Sequence, residues 1–172
     1  MTVHMTMESP LGALLLVGEE SATAGGGAAL ASVSMTGQRN AAVVRPGWRR
    51  DPEAFAEIVR QFRAYFDDAA TAGFDLELSS GGTAFQQRVW RAVDAIPSGA
   101  TVSYGELARR IGAPRTAVRA VGTAVGANPL LVVRPCHRVV GADGALTGYA
   151  GGLDRKRYLL RHEGAHEGAH HG

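Results

Sequence analysis

Hydrophobic and polar positions in the first 80 residues predict a small antiparallel sheet. Residues 3–17 read as two strands joined by the turn Ser9-Pro10-Leu11-Gly12, which predicts an antiparallel hairpin. A third strand is predicted over residues 29–35, after a Gly25-Gly26-Gly27 run that is typical of a flexible loop. The alternation of apolar and polar residues over 74–78 predicts a further strand at the edge of this sheet.

One amphipathic helix is predicted to cover the sheet. Asp51-Pro52-Glu53 marks its start, with the aspartate as the cap, proline in the first turn and an acid at the positive end of the helix dipole. Apolar side chains then recur at three- and four-residue steps, namely Phe55, Ile58, Val59, Phe62, Tyr65 and Phe66. This face is core, and no chemistry is assigned to it.

The second half of the chain is predicted to be mostly helical. Thr83 and Gln86 form a capping box that begins a helix, whose apolar stripe comprises Phe85, Val89, Trp90, Val93 and Ile96. Ser103 and Glu106 form a second capping box, and a third helix is predicted over residues 115–125. Two short helices joined by a turn containing glycine form a helix-turn-helix, whose second helix normally enters a DNA groove. A packed helix pair without DNA is the alternative.

The carboxyl-terminal segment is predicted to form one more helix and a tail. Residues 154–160 read as the helix, with Leu153, Tyr158 and Leu159 facing inward and Lys156 outside. Residues 165–172 are rich in histidine and glycine and are predicted to be disordered. The predicted class is α+β, with an amino-terminal domain over residues 1–80 and a second domain over residues 81–164.

Charge is divided unevenly between the two halves. The net charge is +2, but residues 1–80 carry 6 basic and 10 acidic side chains, whereas residues 81–161 carry 12 basic and 4 acidic ones. A basic domain is the electrostatic footprint of a polyanion-binding protein, with nucleic acid as the leading candidate, although a solvated basic surface gives the same count. No apolar run approaches the length of a membrane span, and the first ten residues lack signal-peptide features, so we expect an intracellular protein.

The candidate chemistry lies in Arg134-Pro135-Cys136-His137-Arg138-Val139-Val140, which contains the only cysteine of the chain. A thiolate forms near neutral pH only where positive charge or a base lowers the thiol pKa, and three basic side chains lie within two positions of this sulfur. The apolar residues 130–133 before it predict a buried strand or extended segment. A cysteine chosen only for packing is the alternative, and a lone cysteine excludes both a disulfide within the chain and a cysteine-rich zinc site.

These motifs together resemble the O6-alkylguanine-DNA alkyltransferase family. Pro135-Cys136-His137-Arg138-Val139 carries the resemblance, with Asn128-Pro129 before it and Gly148-Tyr149-Ala150-Gly151-Gly152 after it. Matching segments occur in the same order at Ser103-Tyr104, Arg119-Ala120-Val121-Gly122 and residues 159–164. The resemblance runs from about Thr83 to Gly164 and implies a ribonuclease H-like first domain and a winged-helix-like second domain.

By that resemblance, Cys136 takes the alkyl group from O6 of guanine, or less readily from O4 of thymine, in one irreversible turnover. His137 acts as a base through a water, Glu163 orients its imidazole, and Tyr104 donates toward the departing guanine. Asn128 ties the recognition helix to the active-site segment. The base pocket is lined by the carbonyls of Arg134 and Val139 and by groups around Tyr149 and Ala150.

The resemblance also implies that double-stranded DNA containing O6-alkylguanine is the partner. Arg119 fills the space left by a nucleotide flipped into the protein, and the predicted DNA contacts come from one helix: Arg115, Thr116, Ala117, Arg119, Ala120 and Gly122. It implies no cofactor, no metal and no membrane, and we expect a cytoplasmic monomer whose DNA binding can be cooperative.

Two positions depart from the family. Arg134 stands where an apolar residue is usual, so its charge either lowers the thiol pKa or points outward along DNA, and we expect activity to persist. Ala150 stands where some members have serine, which leaves only its backbone for a contact.

Three rival functions make different predictions. A helix-turn-helix regulator, in which Cys136 only packs, predicts sequence-specific binding and an unreactive thiol. Proteins of the same fold that bind alkylguanine without repairing it lack the acceptor cysteine, which this chain has. Papain-like hydrolases carry their histidine far from the cysteine, and no suitable second histidine lies outside the tail.

Overall fold

A computed structural model describes residues 1–24, 27–70, 73–79 and 81–165 of the 172-residue chain. The chain divides into two compact units, Met1–Gly81 and Gly82–Gly172. Two of the predicted loop glycines, Gly25 and Gly26, and tail residues 166–172 lie outside the described residues.

The first unit is built on a sheet that begins with the predicted hairpin. Strand β1 (Thr2–Ser9) pairs antiparallel with β2 (Gly12–Glu20) through a two-residue turn, and β2 pairs antiparallel with β3 (Ala28–Met35). Strand β4 (Arg49–Arg50) lies parallel to β1, so the order among the described residues is β3-β2-β1-β4. The prediction of an antiparallel sheet was therefore wrong in one respect, because β4 makes the sheet mixed.

A close backbone approach in this sheet requires a glycine. The register shifts between Val17 and Gly18, where one residue of β3 is left without a partner, as in a β-bulge. A Cβ at position 18 would lie 2.7 Å from the carbonyl oxygen of Ala29. Any larger side chain at Gly18 would therefore push β3 away.

The predicted helix packs its apolar face as expected but starts differently. Residues Pro52–Phe55 form a 3-10 turn, and helix α1 follows over Ala56–Asp67 with Ile58, Phe62 and Tyr65 buried. The side chain of Asp51 makes no capping hydrogen bond within the described part of the chain, so the predicted cap was wrong. Its carboxylate instead accepts a hydrogen bond from Arg49 at 3.0 Å.

Residues 74–78 do not form the predicted edge strand. Their link to the sheet is an isolated bridge between Leu30 and Leu78, in which Leu30 N donates to Glu77 O at 2.9 Å and Ser79 N donates to Leu30 O at 2.8 Å. The Phe74 ring packs 5.0 Å from Phe62, between centroids. Packing of this aromatic ring therefore places the segment more than strand pairing does.

The second unit opens with the predicted capping box, which is complete. Thr83 accepts from Gln86 N at 3.0 Å while the Gln86 side chain accepts from Thr83 N at 2.9 Å. Helix α2 (Ala84–Asp94) then buries Val89, Trp90 and Val93. Trp90 Nε1 donates to the carbonyl oxygen of Ala124 at 2.9 Å, which ties α2 to the helix described next.

The helix-turn-helix is present. Strand β5 (Val102–Ser103) leads into α3 (Tyr104–Arg110), and a 3-10 turn (Arg115–Ala117) leads into α4 (Val118–Gly126). Gly112 ends α3 with φ +73°, where glycine is favoured. Only the Ser103 half of the second predicted capping box is made, because the Glu106 carboxylate accepts from Arg109 at 2.7 Å instead.

The segment before the cysteine is buried as predicted, but it is a turn rather than a strand or an extended segment. Arg134 N donates to Leu130 O at 2.9 Å, and Val132 takes φ +72°. A continuous apolar run has no period that distinguishes a strand from a buried turn. Cys136–Arg138 form a 3-10 turn, after which β6 (Val139–Val140) pairs parallel with β5.

The last helix, α5 (Leu153–His162), reverses two predictions about its faces. Leu153 is 43% exposed rather than inward, and Lys156 is 0% exposed rather than outside. Ala165, predicted as the first residue of the tail, is buried against Val140 and Leu160.

The observed architecture confirms the α+β class, while the ribonuclease H-like and winged-helix-like details stay predictions. Sheet and helix lie together in the first unit, and helices predominate in the second. Within the described ranges, no helix combines the length and apolar composition needed to cross a membrane.

Candidate active site

The sulfur of Cys136 lies at the start of a 3-10 turn and is almost enclosed. The residue is 4% exposed, and Asn128 Nδ2 donates to its Sγ at 3.2 Å. Burial raises the thiol pKa to about 11, against the opposing effects of the Asn128 hydrogen bond and of the charges of Lys156 and Arg134. The expected low thiol pKa was therefore wrong, because neighbouring positive charge does not offset the loss of water.

The residue after the cysteine is a histidine, and a carboxylate contacts one of its ring nitrogens. His137 is 0% exposed, and its Nε2 lies 2.8 Å from Glu163 Oε2. Burial lowers the His137 pKa, which favours the neutral imidazole. With the Nε2 proton donated to Glu163, Nδ1 carries the lone pair, and this buried atom has no hydrogen-bond partner among the described residues.

Arg138 fixes the carboxylate that holds His137. Its Nε donates to Glu163 Oε1 at 2.7 Å, and its Nη2 donates to Oε2 at 2.9 Å. Burial works to raise the Glu163 pKa, but the contacts with His137 and Arg138 outweigh it, so the pKa lies well below its usual range. Arg138 Nη1 also donates to Ile96 O at 2.5 Å, which anchors this pair to the end of α2.

Asn128 links the end of α4 to the active-site turn, as predicted from the resemblance. Besides the sulfur, its Nδ2 donates to Arg134 O at 3.3 Å. The same carbonyl accepts from Cys136 N at 2.7 Å. The Arg134 carbonyl, which the resemblance assigns to the base pocket, thus accepts two hydrogen bonds from the active-site turn and Asn128, and its place in that pocket stays a prediction.

Lys156 clamps the segment after the cysteine to the glycine-rich loop. Its Nζ donates to Val139 O at 2.7 Å and to Gly148 O at 3.1 Å. Burial lowers the Lys156 pKa to about 8, while the Cys136 thiol works in the opposite direction. The ammonium group is one of two buried cations acting on the sulfur.

The remaining predicted pocket residues gather near the thiol. Tyr104 is half-buried, and its side chain makes a hydrogen bond with Thr147. Burial and the Cys136 thiolate charge raise the Tyr104 pKa. The Tyr149 ring stands edge-on to His137 at 6.5 Å between centroids, and Ala150 is buried. Tyr104 therefore lies near the sulfur, and the loop that carries Tyr149 lies near the imidazole of His137.

The predicted DNA-contacting residues share one accessible face. Arg115 and Thr116 in the 3-10 turn and Arg119 and Ala120 in α4 are exposed, whereas Ala117 and Gly122 are half-exposed. A Cβ at Gly122 would lie 3.7 Å from the Tyr104 ring, so the small residues of α4 approach the active-site tyrosine.

Sequence reasoning missed two residues of this site. Arg138 adjoins His137, but its bond to Glu163 joins positions 25 apart, which local patterns do not show. Lys156 did carry a signal, because Lys156, Leu159, Leu160 and Glu163 follow helical spacing on one buried face. The rule that charged side chains face water hid that signal.

No group of three or more histidine, cysteine, aspartate or glutamate side chains in the described ranges is placed to hold a metal ion.

Comparison with known proteins decides the family. The chain is 49% identical over 166 residues to the methylated-DNA–protein-cysteine methyltransferase of Mycolicibacterium paratuberculosis, covering 96% of this chain and 94% of that protein. The chain belongs to the methylated-DNA–protein-cysteine methyltransferase family. Residues 84–165 of this chain match the family described as 6-O-methylguanine DNA methyltransferase, DNA binding domain.

More distant relatives cover the same length. The methyltransferase of Methanosarcina acetivorans is 44% identical over 162 residues, which cover 94% of this chain and 98% of that protein. The crystal structure of Mycobacterium tuberculosis OGT in complex with DNA is similar, with a TM-score of 0.82, 48% identity and coverage of 94% of this chain and 92% of that one. Both units of this chain therefore have counterparts in relatives of known sequence and structure.

Proposed function

We propose that this chain repairs DNA by transferring the alkyl group from O6 of guanine to its own Cys136. The S–C bond forms as the O6–C bond breaks, and the electron pair of that bond leaves with guanine. O4-alkylthymine is the poorer substrate. The observation that carries the proposal is the arrangement of Cys136, His137 and Glu163: the residue next to the only thiol has a buried imidazole nitrogen without a partner among the described residues.

Proton removal must accompany this transfer, because a thiol with a pKa of about 11 is protonated at neutral pH. The free lone pair of His137 Nδ1 is the acceptor, and a water between the two groups completes the path. Glu163 then stabilises the imidazolium formed on His137. Guanine leaves as its anion and is stabilised by a hydrogen bond from the hydroxyl of Tyr104.

The depth of the sulfur requires the substrate to leave the DNA stack. A base within a duplex cannot approach a residue that is 4% exposed, so the nucleotide must be extruded. Extrusion costs about a few kcal/mol, and less for a poorly paired damaged base. The exposed Arg119 is placed on α4 to occupy the gap in the duplex, while the neighbouring small residues allow close approach to the minor groove.

The product is a thioether, for which this site offers no cleavage chemistry, so each molecule acts once. Val139, Tyr149 and Ala150 contribute to the base pocket, and Arg115, Thr116, Ala117, Ala120 and Gly122 to the DNA contact. No cofactor takes part. We further propose a monomer that acts in the cytoplasm of a bacterial-type cell.

The test is the intact mass of the protein after incubation with a duplex containing one O6-methylguanine. We expect one added methyl group, located on Cys136, in a stoichiometric rather than catalytic yield. Asp154→Asn, which alters a fully exposed carboxylate on α5, serves as the matched control and should react as the wild type does. Cys136→Ala should gain no mass.

Two results separate this function from that of a helix-turn-helix regulator. A folded wild-type protein that binds the duplex but gains no methyl group would overturn the proposal. Binding that depends on DNA sequence but not on the lesion would favour the regulator instead.

A further inference from the structure

Arg134 has its charged group inside the second unit rather than along a DNA-facing surface. The residue is 8% exposed, and its guanidinium carbon lies 4.6 Å from the centroid of the Trp90 ring. Nε lies 3.6 Å from Asp94 Oδ1, and Nη1 donates to Asn128 Oδ1 at 3.2 Å. Burying a charge is costly unless it is paired, so these contacts fix where the guanidinium lies.

The contact with Asn128 determines which way that amide faces. Asn128 Oδ1 accepts from Leu130 N at 2.9 Å and from the Arg134 guanidinium, while Nδ2 donates to the Arg134 carbonyl and to Cys136 Sγ. All four hydrogen-bonding positions of the amide are therefore used. A flipped amide would set its two N–H groups against two donors and its oxygen against the sulfur.

We infer that Arg134 is a positioning residue for alkyl transfer: it locks the Asn128 amide so that one N–H faces the Cys136 sulfur and the other faces the Arg134 carbonyl. The inference rests on the proposed function and assigns a role to a side chain that does not touch the substrate. Leu130 N–H holds the same amide oxygen but carries no full charge, so Arg134 supplies the stronger half of the lock.

The charges around the sulfur make this role measurable. Arg134 and Lys156 each lower the thiol pKa, Tyr104 and the thiol influence each other, and His137 is the neighbouring base. Asp94 opposes Arg134 and is 48% exposed. Removing Arg134 and removing the charge of Asp94 should therefore change thiol reactivity in opposite directions.

The experiment compares Arg134→Met, Arg134→Lys and Asp94→Asn with the wild type in two assays. The first is modification of Cys136 by iodoacetamide without DNA, followed by intact mass from pH 7 to 10. The second is the single-turnover rate with the O6-methylguanine duplex. Because the chain has one cysteine, the mass added to Cys136→Ala gives the reaction of all other groups, and the difference from it reports this thiol.

We expect Arg134→Met to slow both reactions by about tenfold, because an Asn128 amide without its charged partner no longer holds an N–H toward the sulfur, and the lost hydrogen bond and charge together raise the thiol pKa by about one. Arg134→Lys, which keeps the charge but loses the planar fork, should recover part of the rate. Asp94→Asn should accelerate both reactions by about twofold to threefold, since it removes the charge that partly neutralises Arg134.

Unchanged rates in Arg134→Met would overturn the inference, as would equal slowing by Arg134→Met and Asp94→Asn, which indicates loosened packing. If Arg134→Met does not fold, Asp94→Asn decides alone, because acceleration supports the role and slowing contradicts it. Iodoacetamide modification needs no DNA. A wild type that takes no methyl group from the duplex would therefore refute the proposed function and leave the Arg134 comparison valid.

Discussion

Replacing Glu163 with glutamine removes one charge from the centre of the site while keeping the shape of the side chain. The carboxylate has a fully buried side chain and accepts three hydrogen bonds, from His137 Nε2 and from two nitrogens of Arg138. Glutamine has only one acceptor oxygen. If that oxygen accepts from His137 Nε2 and Arg138 Nη2, the new amide NH₂ group faces Arg138 Nε. Two donors then face each other, and neither has an acceptor.

The expected loss of stability follows from these contacts. A hydrogen bond to a charged group contributes about 1.5–3 kcal/mol, and breaking a buried ion pair from one side costs about 3–5 kcal/mol. One bond is lost and two are weakened, so we expect the free energy of unfolding to fall by about 3 kcal/mol at pH 7. Urea denaturation measures it, and Asp154→Asn should leave it at the wild-type value, because an exposed ion pair contributes little to stability.

The pH dependence gives the sign of the effect. The folded-state pKa of Glu163 lies below its ordinary value of 4.5, so its ionised form stabilises the fold above that pH. This contribution is lost as the pH falls from about 4.5 toward the folded-state pKa. The stability gap between wild type and Glu163→Gln should therefore narrow below pH 4.5, whereas a gap that stays constant would contradict an ionised Glu163.

The same substitution should slow alkyl transfer. Glutamine stabilises the imidazolium of His137 less well than a carboxylate, and general-base catalysis contributes about 10²–10⁴-fold. We expect the single-turnover rate with the O6-methylguanine duplex to fall about 10²-fold. A rate within twofold of the wild type would refute the assignment of His137 as the base held by Glu163.

Two further predictions concern a buried cation and an exposed one. The pKa of Lys156 is lowered to about 8 from 10.5, so the folded state releases this proton first and the contribution of Lys156 to stability should rise between pH 8 and pH 10.5. The raised thiol pKa of Cys136 acts in the opposite direction above pH 9, so urea denaturation should follow the difference in stability between the wild type and Lys156→Met. Lys156→Met should lack that rise, and an identical pH profile in the variant would show that Lys156 is not its source. Arg119→Ala should slow transfer from duplex DNA by at least about tenfold yet leave the reaction with free O6-methylguanine unchanged, because only the duplex requires extrusion. Equal slowing with both substrates would place Arg119 outside DNA recognition.

Local rules predicted the parts of the fold that local interactions determine. The hairpin turn, the apolar face of α1 and the capping box at Thr83 each depend on residues a few positions apart. The prediction of a strand or extended segment over residues 130–133 was wrong because an apolar run fits a strand and a buried turn equally well. Tertiary contacts determine which of the two forms. The prediction of an edge strand over residues 74–78 was wrong for a related reason, because aromatic packing against α1 competes with strand pairing.

The site was only partly readable from the sequence. The motif located Cys136 and His137, and the resemblance supplied Asn128 and Glu163. The structure places Asn128 against Cys136 and Glu163 against His137. The electrostatics were not readable, because the sequence shows three basic neighbours of the thiol but not the depth of the sulfur. Burial proved the larger effect on the thiol pKa, and it reversed the expected direction.

A high thiol pKa is consistent with a residue that can be used only once. A permanently ionised, accessible thiolate would react with any small electrophile, and each such event would inactivate the molecule irreversibly. Here the thiol is protonated and 4% exposed, while the groups that favour its ionisation, Asn128, Lys156 and Arg134, are already in place. Ionisation then requires one more event, the passage of the proton to His137, and it is productive only when an extruded alkylguanine lies against the sulfur. Under the proposed function, the burial that makes Cys136 appear inert therefore reserves it for the lesion.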